Sequence, residues 1–151
     1  MALYEEHPPL LPQTFIVDAT RQVVHGGGAL VLSEAEVETR ADVDNHMGPI
    51  LVCQVISTST LENGPMFAGL KMRVTWYVTD ESMDKAEEMA TALMAGLNRL
   101  WRDGTPVAGG WIANLELSGP TLGGLQSNTA DYAEFRVSGI IVARSKIQKE
   151  G

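Results

Sequence analysis

The chain has 151 residues, 44% of them hydrophobic and 20% charged, and its 11 Lys and Arg face 19 Asp and Glu for a net charge of −8. A chain of this length is one domain's worth and buries about 70% of the surface its unfolded form exposes, so no disulfide framework is needed. The acid excess argues against a surface that wraps phosphate backbones, because nucleic-acid affinity comes largely from Lys and Arg displacing counterions.

Met1 to Glu6 is acidic and lacks the apolar core of a signal peptide. No run approaches the ~18 apolar residues of a membrane span. A cytosolic origin with no membrane partner is the expectation. Residues 1–12 read as an extended lead-in, locked by Pro8, Pro9 and Pro12. From Gln13, Phe15, Ile16, Ala19, Val23 and Val24 recur at helical spacing with Asp18 and Arg21 outward, and Gly26-Gly27-Gly28 stops the helix. Ala29 to Leu32 is short and β-like. The charged stretch from Ser33 to His46, which carries Glu34, Glu36, Glu38, Arg40, Asp42 and Asp44, reads as a mobile arm or loop closed by Gly48-Pro49.

Ile50 to Ile56 is apolar on both faces, as in a central strand, and holds Cys53, which reads as a buried, inert thiol. Residues 57–66 read as a polar loop with a turn at Asn63-Gly64-Pro65. The next strand alternates cleanly: Leu70, Met72, Val74, Trp76 and Val78 point one way, and Lys71, Arg73, Thr75, Tyr77 and Thr79 the other. Asp80 is the expected N-cap of a helix whose buried stripe is Met83, Ala86, Ala90, Leu93, Met94, Leu97 and Trp101, with Gly104 as its stop. Met89 lies off that stripe. Trp111 to Leu117 forms a third strand ended by Ser118-Gly119-Pro120, residues 121–129 a loose loop, Asp131 to Arg144 a last strand, and 145–151 a flexible tail. The expected fold is α+β within one domain over 1–151: a mainly antiparallel sheet of about four strands in two hairpins, one long helix packed across it, an N-terminal helix and long loops.

No motif for chemistry emerges. Gly26-Gly27-Gly28 lacks the Gly-Lys-Ser/Thr close of a phosphate loop. His7, His25 and His46 are scattered and form no helical pair, so no metal site is expected. Asp80, Glu81, Asp84, Glu87 and Glu88 are explained by the preference of helix starts for negative charge. Asp42-Val43-Asp44-Asn45 opens like a calcium loop but lacks its glycine and distal glutamate. No serine elbow or Cys–His pair is present. No catalytic residue, cofactor or metal is assigned, and the chain is expected not to be an enzyme.

Three long polar or glycine-rich segments, 33–49, 57–66 and 119–131, interrupt the core, and long loops in a small domain are usually functional or disordered. Val74-Thr75-Trp76-Tyr77-Val78-Thr79-Asp80, then Ala86, Ala90, Leu93 and Leu97, then the Trp111–Pro120 and Tyr132–Ala143 strands follow one order. That order resembles the tail terminator, or tail completion, proteins of long-tailed bacteriophages. The resemblance spans residues 10–145 as a pattern, and the chain departs from it over 26–49. It implies a homohexameric ring that caps the head-proximal end of the tail tube, stops tube polymerisation and joins tail to head. Its partners would be copies of itself, the tail tube protein and a head completion or neck protein, with DNA passing through the lumen unbound. Its place would be the tail–neck junction of a virion, after synthesis in the host cytoplasm.

For such a ring, the 57–66 and 119–131 loops are expected to face partners or the lumen and the 33–49 arm a neighbouring subunit. The candidate interface residues are Glu62, Asn63, Lys71, Arg73, Tyr77, Leu122, Leu125 and Gln126. The outward Lys71, Arg73 and Tyr77 are either solvated or packed on a neighbour. Two alternatives stand beside this reading: another neck or head–tail connector protein, and a small ligand-binding or enzyme subunit of helix-on-sheet type. The last requires a pocket with a perturbed acid or base.

Overall fold

The structure, a computed structural model, describes residues 10–24, 30–33, 49–60, 69–80, 82–123 and 133–145. Among the described residues, seven elements follow in order: α1 (Pro12–Val23), β1 (Leu30–Ser33), β2 (Ile50–Thr60), β3 (Gly69–Asp80), α2 (Met83–Asp103), β4 (Gly110–Gly123) and β5 (Ala133–Ser145). The five strands form one sheet in the order β1-β2-β3-β5-β4. β1 runs parallel to β2, and every other pair is antiparallel.

The sheet therefore has five strands and is mixed, where about four antiparallel strands were expected. The Ala29–Leu32 segment, read as merely β-like, supplies the fifth strand, and Leu30 to Ser33 align with Ile50 to Cys53. A parallel pair needs a connection of a dozen or more residues, and the charged stretch over 34–49 has that length. β4 enters from α2 at the far edge, and β5 returns between β3 and β4.

Period-two alternation decides what β3 buries. Met72, Val74, Trp76 and Val78 are fully buried, while Lys71 and Arg73 are exposed. Both helices lie over this buried side, α2 across β3, β4 and β5 and α1 against β1, β2 and α2. One continuous core results, running from Phe15 and Ile16 through Leu51, Cys53 and Trp76 to Leu93, Leu97, Val137 and Ile141. Cys53 is buried, as its apolar surroundings imply.

α1 starts with Pro12 in its first turn, where a missing N–H costs nothing. Thr20 is a polar residue on its buried stripe and forms a junction there. Its hydroxyl donates to the Ile16 carbonyl at 2.7 Å and accepts from the Trp76 indole N–H at 2.9 Å. The Cys53 thiol also points at Thr20 Oγ1, at 3.5 Å. One hydroxyl thus ties α1 to the two neighbouring strands β2 and β3.

α2 begins on Ser82, whose side chain accepts the Lys85 N–H at 3.4 Å. The cap is therefore Ser82 and not Asp80, and such a cap contributes about 1 kcal/mol. Asp80 is the last residue of β3, pairs with Ala133 and is 5% exposed, because strand alternation turns it to the core side. Its carboxylate accepts the Ser82 N–H at 3.5 Å. Ala86, Ala90, Leu93 and Leu97 are buried as expected, but Met83, one turn earlier at the helix start, is 54% exposed. Trp101 is half-buried and donates its indole N–H to the Ala113 carbonyl on β4 at 3.1 Å. Gly104 closes the helix at φ 62°, a left-handed conformation that glycine adopts without a Cβ penalty. Gly96 serves a different end: a Cβ there would collide with the Val23 side chain, so its absence lets α1 and α2 approach closely.

Two stretches read as loops are strand. Ser57 to Thr60 continue β2, pairing with Arg73 to Leu70 after a register shift at Val55/Ser57. β4 likewise runs through Gly119 and Pro120 to Gly123, absorbing them in a register shift between Ser118 and Thr121. β4 is an edge strand, so a proline breaks no ladder on its free side. The triple glycine, the three histidines, most of the 33–46 arm and the Asn63-Gly64-Pro65 turn lie outside the described residues.

Candidate interaction surface

The side of the sheet away from the helices carries no described element. Alternation assigns its residues. β3 contributes Lys71, Arg73, Thr75, Tyr77 and Thr79, and these align with Ser59, Ser57, Gln54, Val52 and Ile50 of β2. On the other flank they align with Val142, Ile140, Ser138, Arg136 and Glu134 of β5. β4 completes the face with Asn114, Glu116 and Ser118 opposite Val142, Ile140 and Ser138.

Side-chain contacts confirm that these residues share a surface. The Tyr77 hydroxyl donates to Gln54 Oε1 at 2.9 Å. The Arg136 guanidinium lies 5.3 Å from the Tyr77 ring centroid, within cation–π range. Arg136 also pairs with Glu134 at 3.1 Å, an exposed ion pair that solvent screening leaves with little net energy. This row from Gln54 through Tyr77 and Arg136 to Glu134 fixes the orientation of one end of the face. At the other end, Arg73, Glu116, Ser118, Ser138 and Ile140 line an open depression of about 310 Å³. The Gly139 backbone also lines it, while a Cβ at Gly139 would point to the helix side, against Leu117 and toward Trp76.

The charge on this face runs against the charge of the chain. Among the described residues, Lys71, Arg73, Arg136 and Arg144 stand here with Glu116 and Glu134. Four cations against two carboxylates make a locally basic patch in a chain of net charge −8. Its remaining groups are small hydroxyls and half-buried apolar side chains such as Val52, Ile140 and Val142. Such a mixture suits contact with another surface better than it suits chemistry.

Of the sequence-derived interface residues, Lys71, Arg73 and Tyr77 come together on β3. Leu122 does not join them. It pairs with Phe135 on the helix side near the end of β4 and is 46% exposed. Glu62, Asn63, Leu125 and Gln126 lie outside the described residues. Gln54, Glu116, Glu134 and Arg136 belong to the same face and were not singled out as interface residues. Their signal was the period-two alternation of β2, β4 and β5, which places them opposite the buried positions.

Among the described residues, no group of three or more His, Cys, Asp or Glu could hold a metal ion, and no helix is long and apolar enough to cross a membrane. No protein-family model and no curated protein matches the sequence. Among solved structures, the chain is similar to one in the virion of a native gene transfer agent particle. The likeness has a TM-score of 0.51 at 12% identity and covers 95% of this chain and 92% of that one. At that identity it is a likeness of fold.

Proposed function

We propose that this chain is a structural virion protein of the tail-terminator type. In this reading it forms a homohexameric ring on the head-proximal end of a tail tube, arrests tube polymerisation and joins the tail to a head or neck protein. It performs no catalysis. The observation that supports the reading is the fold likeness, over nearly the whole length of both chains, to a protein of a gene transfer agent virion. The pattern through Trp76, Tyr77, Asp80 and the α2 stripe supports it from the sequence, and the open sheet face supplies a surface for assembly.

A ring of six identical subunits repeats one head-to-tail contact until it closes. Each subunit then needs two different complementary patches. The acid excess acquires a role in such a ring. DNA must pass the lumen without adhering, and carboxylates repel phosphates. Basic side chains used in subunit contacts are withdrawn from that lumen.

Native mass spectrometry of the purified chain across a wide concentration range tests the reading. The expected species is a hexamer that arrests growth when added to polymerising tail tube protein. A tight dimer that never grows overturns the ring. A hexamer that binds a head completion protein but leaves tube growth unchanged assigns the chain to another neck position.

A further inference from the structure

We infer that the open face of the sheet is one half of the subunit contact, and that its occupant is the outward side of α2 in a second copy of this chain. The inference rests on the ring reading above and names the two surfaces that meet.

Charge complementarity carries it. On α2, exposed Asp84, Glu87, Glu88, Thr91, Ala92 and Ala95 share one side of the helix. The carboxylates occupy the first turns beside Lys85, and Thr91, Ala92 and Ala95 leave low relief beyond them. Exposed Arg99 and Arg102 come only in the last two turns, so the acidic patch is confined to the helix start. The sheet face presents the converse, exposed Lys71 and Arg73 standing beside the depression at Gly139. A basic patch on an acidic chain finds its complement on a copy of itself.

The lengths agree. Strands of 11 to 14 residues run about 36–46 Å at ~3.3 Å per residue. α2, with 21 residues, is about 31 Å long and about 10 Å across, so it can lie along the face and cover about half its width. Addition at the strand edge of β4 is the less suitable route. That edge is interrupted by register shifts at Ile112/Asn114 and Ser118/Thr121 and carries Pro120, which has no N–H to offer.

The two patches lie on opposite layers of the molecule, because α2 covers the side of the sheet that the open face turns away from. A contact between them leaves one patch free on each end of a pair, so it propagates head to tail. It closes into a ring when the rotation per step permits.

Two charge-reversed chains test the pairing. One carries Lys71→Glu with Arg73→Glu, the other Glu87→Lys with Glu88→Lys. All these side chains are exposed, so both variants should melt like the parent chain. Alone, each sets like charge against like, and its self-association should weaken roughly hundredfold or more. Mixed one to one, every contact in an alternating array is again between opposite charges, so assembly should return to the parent size by sedimentation velocity. A parent hexamer that neither variant disturbs overturns the pairing and leaves the ring reading standing. Variants that dissociate but are not restored on mixing also overturn the pairing. A parent chain that never exceeds a dimer overturns both. A parent chain that binds a double-stranded oligonucleotide, with binding lost in the Lys71→Glu/Arg73→Glu variant, assigns the face to nucleic acid and also overturns the pairing.

Discussion

The two sides of one sheet do different work with the same strands. The helix side of β3 places Met72, Val74, Trp76 and Val78 in a continuous core with both helices. The opposite side, one residue out of step, places Lys71, Arg73 and Tyr77 among hydroxyls, charges and a depression. The backbone ladder is common to both. The helix side specifies the fold, and in the proposed reading the open side meets a neighbouring copy. A change on the helix side should therefore lower stability, and a change on the open side should alter assembly at constant stability.

The largest break of that comparison is Trp76→Ala. It removes a fully buried indole and its bond to Thr20, and truncations of this kind cost about 3–5 kcal/mol. At about 2–4 °C per kcal/mol for a chain of this size, thermal unfolding should fall by roughly 10 °C. Gly96→Val should follow. Its Cβ meets Val23, and forcing α1 from α2 costs about 1–3 kcal/mol, read as a lower denaturant midpoint. Thr20→Val keeps the volume but removes the acceptor of the Trp76 N–H, a loss of about 1–3 kcal/mol in urea unfolding that Thr20→Ser should largely avoid. On the open side, Tyr77→Phe loses only the half-buried bond to Gln54, about 0.5–1 kcal/mol. Lys71→Glu with Arg73→Glu should lie within about 0.5 kcal/mol of the parent chain, and its effect should appear in oligomeric state alone.

The regular patterns were legible in the sequence. The alternation of β3 and the Ala86, Ala90, Leu93 and Leu97 stripe of α2 follow from local periodicity, and the burial matches them. Long-range pairing was less so. β1 has four residues, and its parallel register with β2 is set by an alignment far along the chain. Ser57 to Thr60 read as a loop because they are polar, yet their backbone groups extend the ladder to β3, and the side chains of Ser57, Thr58 and Ser59 stay exposed. Gly119-Pro120 read as a terminator because the pair breaks most strands, but an edge strand tolerates a proline. Thr20 carried little signal, since a hydroxyl on an apolar stripe is useful only once Trp76 is folded against it. Of the interface residues, the β3 trio was readable from alternation. Gln54, Glu116 and Arg136 face the same side by the alternation of their own strands, and the strand order is what sets them beside that trio.

The most direct test of the central claim is sedimentation velocity of the parent chain beside the Lys71→Glu/Arg73→Glu variant, with thermal melts of both. The account predicts a hexamer for the parent chain, dissociation for the variant and coincident melts. Identical oligomeric distributions for the two proteins would contradict it.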